Sequence, residues 1–210
     1  MGPRFRAAFL IVAFAAAVSA TTARTESPRP EAAPGLVEPP KDLPRAQTGD
    51  AKVNLDRLFE ALKIAPDTES AKYIEGRIWA LWFASGSDTT NLLMGRVKTA
   101  TDAKDIDLAI KLLDSIIDIR PDFLEAWNRR ATLYYMRKDF GPAIADIQHV
   151  LSREPRHFGA LSGLGIILQE IGDDKRALDA FRRAVAVHPN LERIPELVKK
   201  LSEKIDGRDI

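Results

Sequence analysis

A chain of 210 residues, 45% apolar and 29% charged, is long enough for one modest helical domain with accessory segments. Its 31 basic and 30 acidic residues nearly cancel, which removes any general electrostatic attraction to nucleic acid. There is no cysteine, so disulfides and a lipid attached through an N-terminal cysteine are both excluded, and packing alone must hold the fold.

Residues 1–20 read as a cleavable signal peptide. Arg4 and Arg6 give a basic start, Ala7 to Val18 is an unbroken apolar run, and Val18-Ser19-Ala20 offers small residues for a cut after Ala20. The run is short for a membrane-spanning helix; a retained anchor is the alternative. Cleavage removes two arginines and no acid, leaving 29 basic against 30 acidic residues. The expected location is periplasmic or secreted. Residues 21–50 carry Pro28, Pro30, Pro34, Pro39, Pro40 and Pro44 and few apolar residues, and are expected to be a disordered proline-rich linker acting as a spacer.

Order is expected to restart at 51–89 as a helical pair. Leu55, Leu58, Phe59 and Leu62 form one amphipathic stripe ended by Pro66. Ala61 precedes that proline by five residues, as Ile116, Val150 and Ala184 precede Pro121, Pro155 and Pro189. This helix therefore reads as the second half of a worn repeat. Thr68 to Ala84 is a longer helix, broken by Ser85-Gly86-Ser87-Asp88. Its Trp79, Trp82 and Phe83 are expected to be core that seals the open end of the array rather than a docking patch.

From Thr90 to Leu191 the chain says the same thing three times. Pro121, Pro155 and Pro189 are spaced 34 residues apart, as are Asp105, Asp139 and Asp173, and Ala109, Ala143 and Ala177. Ile110, Ile144 and Leu178 keep step, with Leu113, Ile147 and Phe181. A fixed period of this length signals stacked units, each burying its apolar face against its neighbours. The predicted helices run 90–102 and 105–119, 123–137 and 141–153, then 157–171 and 174–187. The three alanines mark close helix crossings, and a final helix from about Leu191 to Ile205 reads as a solvating cap, the capping segment following the last repeat at 192–210.

These segments resemble tetratricopeptide (TPR) repeats. The middle copy carries Trp127, Ala131, Tyr134, Ala143, Ile147 and Pro155; the third carries Leu161, Leu164-Gly165, Leu168, Ala177, Phe181 and Pro189. The first copy is the most diverged, with Leu93, Val97, Ala100, Ala109, Leu113 and Pro121. The resemblance implies an all-α solenoid with repeats at 90–123, 124–157 and 158–191. It also implies a concave wall lined by the first helix of each repeat, where a protein or peptide partner binds.

Carried onto this sequence, that wall is Asn91, Met94, Gly95, Lys98, Thr101 and Asp102 in repeat one. Repeat two supplies Glu125, Asn128, Arg129, Thr132, Tyr135 and Met136; repeat three supplies Gly159, Ser162, Gly163, Ile166, Gln169 and Glu170. The partner-binding candidates are Met94, Lys98, Asn128, Arg129, Thr132, Tyr135, Met136, Ser162, Ile166 and Gln169. Asn128, Arg129 and Tyr135 combine donors with an aromatic ring, and Met94 and Met136 are adaptable contacts. The carboxylate clamp of chaperone-binding TPR domains is missing, because Met94, Lys98, Gly159 and Gly163 stand at its positions.

Arg96 and Arg130 occupy a position usually filled by a packing residue, and are expected to be half-buried and ion-paired with Asp114, Asp118 or Asp146. If Arg130 serves packing only, Arg130→Leu keeps or raises the melting temperature. No catalytic constellation is present. His149, His157 and His188 make no metal-ligand spacing, and two of them sit beside prolines in turns where a ring is normally solvated. Gly163 and Gly165 lie inside a predicted helix, not in a phosphate loop. The sequence thus points to a non-catalytic interaction module without cofactor, metal or nucleic acid. A self-associating structural protein is the alternative.

Overall fold

The computed structural model describes Val37, Pro39, Pro40 and residues 51–207, all within one compact unit, Ala32–Ile210. The signal segment and most of the linker lie outside the described residues. Among the described residues the chain is all-helical, with nine helices: α1 (Ala51–Lys63), α2 (Thr68–Phe83), α3 (Asp88–Asp102), α4 (Ile106–Ile119), α5 (Leu124–Met136), α6 (Phe140–Arg153), α7 (Phe158–Glu170), α8 (Asp174–Val187) and α9 (Ile194–Asp206). None of them is long and apolar enough to cross a membrane.

The repeat is visible in the backbone as well as in the side chains. The first helix of each unit ends on a residue with positive φ: Lys104 (61°), Lys138 (65°) and Gly172 (84°), each 34 residues from the next. The following amides of Asp105, Asp139 and Asp173 bond back to the carbonyls of Ala100, Tyr134 and Leu168 at 2.8–2.9 Å, the closing bond of a Schellman turn. Asp105 and Asp173 then cap α4 and α8 by accepting from Leu108 and Arg176 N–H, whereas Asp139 makes no side-chain cap bond.

The second corner repeats too. Arg120, Glu154 and His188 N–H bond to Ile116, Val150 and Ala184 carbonyls, and each is followed by its proline. Pro121, Pro155 and Pro189 therefore stand at equivalent corners, where a missing N–H costs nothing. Ala109, Ala143 and Ala177 are fully buried at the crossings between paired helices. Leu113, Ile147 and Phe181 are buried beside them. The terminal helix α9 covers α8, with Ile194 and Leu201 buried and Lys204 2.6 Å from Asp174.

The helices α1 and α2 depart from the expectation of a pair sealing the start of the array. Both pack back onto later units, α2 against α5 and α1 against α8. The contacts run in reverse order to the repeats: Glu75 meets His188 (3.2 Å), and Trp79 meets Phe158 and His157. Trp82 stacks on His157, Phe83 lies under Arg129, and the Ser85 carbonyl accepts from Arg120 (2.9 Å). Helix α2 is thus laid along the edge formed by the inter-repeat corners. Phe59 and Asp56 of α1 hold Arg156, at 4.2 Å to the ring centroid and 2.7 Å to the carboxylate. The aromatic cluster belongs to the core, as expected, with Trp79 fully buried and Trp82 and Phe83 partly so, but the surface it covers belongs to repeats two and three.

That surface is cut to receive it. A Cβ on Gly159 would lie 3.1 Å from the rim of the Trp79 ring, tighter than an ordinary contact, so glycine lets the fully buried indole seat itself closely on α7. His157, expected to be solvated, is completely buried. Its Nδ1 accepts from Ala160 N–H (3.1 Å), capping α7, which leaves Nε2 as the N–H that donates to Glu125 (2.8 Å). His188 is buried as well, against Glu75 and the Phe158 ring. Burial of each ring is tolerable because each has a carboxylate partner.

Candidate binding cleft

Helices α5 and α7, the first helices of repeats two and three, lie side by side and leave a cleft between them. Its lining is Asn128, Ala131, Thr132 and Tyr135 from α5, Gly159, Ala160, Gly163 and Ile167 from α7, and Ile147 below. The cleft is shallow, with about 20 Å³ of enclosed space, room for little more than one water molecule, before it opens to solvent. Small residues at 159, 160 and 163 produce it, since a turn of α7 without bulk opposes the larger side chains of α5. One further residue lines it: Val37, from the segment read as a spacer.

The polar groups of the cleft are held from behind. Asn128 donates to Glu125 at 3.4 Å, the same carboxylate that holds His157. Thr132 Oγ donates to the Asn128 carbonyl. Tyr135 is buried, and its hydroxyl donates to Glu170, which also receives Lys138 at 2.7 Å. Burial, with the Glu170 carboxylate beside it, pushes the Tyr135 hydroxyl well above the usual tyrosine value. Burial raises Glu170, but hydrogen bonds from Lys138 and Tyr135 outweigh it and leave the carboxyl below the usual glutamate range.

The structure brings together only part of the sequence-derived set. Asn128, Thr132 and Tyr135 share the cleft. Arg129 lies 4.7 Å over the Phe83 ring and serves the α2 contact. Ser162 is fully buried, donating to the Phe158 carbonyl, and Ile166 is buried too. Gln169 is half-buried and Met136 is exposed. Met94 packs against the repeat-one core, and Lys98 is exposed beside Asp102. Ala131, Ala160, Ile147 and Ile167 were not anticipated as lining; as small or aliphatic helix residues they looked like core.

Arg130 does what its position implied, with one correction. Its guanidinium grips both Asp146 oxygens (2.8 Å each) and one Asp114 oxygen (2.7 Å), and stacks 4.9 Å from Trp127. The bond to Asp146 and then that to Asp114 raise its affinity for the proton despite burial. Asp146 is only 6% exposed, so Leu at 130 would strand a buried carboxylate rather than improve packing. Arg96 is exposed rather than half-buried, and differs from Arg130 in that respect. Among the described residues no group of three or more His, Asp or Glu is placed to hold a metal ion.

No family model matches the chain. A TPR repeat-containing protein of Rhizobium etli is 40% identical over 163 residues, covering 78% of this chain and 80% of the relative. The chain belongs to the TPR repeat proteins. The general transcriptional corepressor ssn6 of Schizosaccharomyces pombe is 27% identical over 92 residues, 43% of this chain and 8% of that protein. A crystal structure of MamA superposes with a TM-score of 0.53 at 17% identity, over 76% of this chain and 84% of that one. At that identity the likeness speaks for the helical-repeat fold alone. This TPR protein is accordingly a helical-repeat module.

Proposed function

We propose that this TPR protein is an exported, non-catalytic adaptor or assembly factor of the cell envelope that grips a segment of another protein between α5 and α7. The observation that carries the reading is the cleft itself: a shallow groove between two first helices, lined by Ala131, Ile147, Gly159, Ala160, Gly163 and Ile167 with Asn128 and Thr132 among them. The signal-like start supports export, and the balanced charge favours a protein over a nucleic-acid partner.

The test is capture from an envelope fraction by the full chain and by Thr132→Trp, which fills the cleft from a half-buried position. Proteins recovered by the first and lost by the second support the reading; equal recovery moves the binding face elsewhere. A second reading, self-association, has one observation in its favour. Because α1 and α2 fold back, Leu92 and Leu108 of repeat one stay 60% and 45% exposed. Sedimentation of the full chain as a strict monomer removes it.

A further inference from the structure

The linker segment in the cleft points to the chemistry the cleft selects. Val37 packs against the main core between α5 and α7, and Pro39 and Pro40 beyond it are half-buried. The whole stretch 21–50 contains only three large aliphatic residues, Leu36, Val37 and Leu43. One of these few stands where the cleft is lined by Ala131, Gly159, Ala160 and Gly163. A β-branched side chain is short and wide, and suits a slot whose walls are helix backbone and methyl groups.

The prolines that follow suit partial burial. They have no N–H to leave unsatisfied when half-buried, and they hold the chain extended at little entropic cost. Asn128 and Thr132 line the cleft, and beyond their bonds within α5 the amide and hydroxyl retain hydrogen-bonding capacity suited to an extended backbone.

We propose that the cleft is a receptor for a short extended segment in which an aliphatic, β-branched anchor precedes a proline pair by one acidic residue. The chain's own Val37, with the half-buried Pro39 and Pro40 after it, occupies it in cis until such a segment of a partner protein displaces it. The proposal rests on the partner-binding reading of the cleft and narrows it. One anchor side chain and two prolines make a weak latch. Residues 41–50 link it to α1, which is fastened to Arg156, so the latch acts at an effective concentration on the order of millimolar. A competing segment therefore meets an occupied cleft, and its apparent affinity is lowered by the cis population.

The probe is a fluorescent peptide with the sequence of residues 33–44, titrated against full-length chains and read by anisotropy. Val37→Asp, which expels the latch, should bind it at least about tenfold more tightly than the wild type. Val37→Asp/Thr132→Trp should lose that gain, and a peptide carrying the same Val→Asp change should not bind. Melting curves are recorded alongside. If Thr132→Trp lowers the melting temperature, Asn128→Trp at the rim replaces it.

Equal affinity of wild type and Val37→Asp, or binding that ignores the filled cleft, overturns the proposal. If Val37→Asp ignores the peptide yet still captures envelope proteins in a manner blocked by Thr132→Trp, the ligand class is wrong and the adaptor reading stands. If it does neither, both fall.

Discussion

Replacing Arg130 by leucine tests the charge arrangement between repeats two and one. The guanidinium is 15% exposed and bridges Asp146, 6% exposed, to Asp114, 45% exposed. Leucine matches the aliphatic part of the arginine stem but supplies no cation. Asp114 returns to water at little cost. Asp146 cannot, and removing one member of a buried pair costs about 3–5 kcal/mol. Apolar burial by the new leucine offsets on the order of 1 kcal/mol. The expected loss is therefore about 2–4 kcal/mol, a drop in melting temperature of roughly 5–15 °C for a chain of this size.

Arg130→Leu/Asp146→Leu removes the stranded charge and should return most of that loss. Urea unfolding followed by circular dichroism gives both values, provided the slope with denaturant is unchanged. A single variant within about 1 kcal/mol of wild type, or a double variant no better than the single, would refute the account of Asp146 as the source of the cost.

Three other outcomes are expected. Lys104→Gly relieves a left-handed lysine that α3 needs for its closing turn, and should raise stability by about 0.5–1 kcal/mol in the same assay. Trp79→Ala empties the seat on Gly159 and should cost about 3–5 kcal/mol; hydrogen exchange would accelerate most in α1 and α2. Tyr135 has a raised folded-state pKa against an unfolded value of about 10. Its contribution is thus complete below about pH 10 and is lost as pH rises through the folded value, because the unfolded chain ionises first. Urea midpoints for Tyr135→Phe should fall less steeply than wild type above that pH, and parallel curves would count against the buried hydroxyl.

The 34-residue columns were legible because each is a local requirement repeated. A cap, a crossing and a corner recur wherever the same backbone recurs, so Asp173, Ala177 and Pro189 could be read from their counterparts. The Arg130 pairing was legible for a related reason, since Asp114 and Asp146 stand 16 residues either side of it, one in each flanking second helix. The path of α2 was not legible. Its stripe of Trp79, Trp82 and Phe83 states that something covers it, but no period relates it to Gly159 or His157, whose roles arise only from tertiary contact. His157 looked solvated beside Pro155 because the Glu125 that permits its burial lies 32 residues away, at the other end of the same repeat. The cleft was half legible. The resemblance supplied Asn128, Thr132 and Tyr135 as wall, whereas Ala160 and Ile167 carry no mark distinguishing lining from filling, and Val37 sat in a stretch whose composition spoke only of spacing.

The course of α2 has a mechanical consequence. Helical-repeat chains behave like springs, because each coil touches only the next and small rotations add along the axis. A rod fastened to successive coils at His188, His157 and Arg129, with the turn after it held by Arg120, opposes that compliance along its span. The coils it joins are expected to flex together, and to unravel more nearly as one block than by peeling from an end.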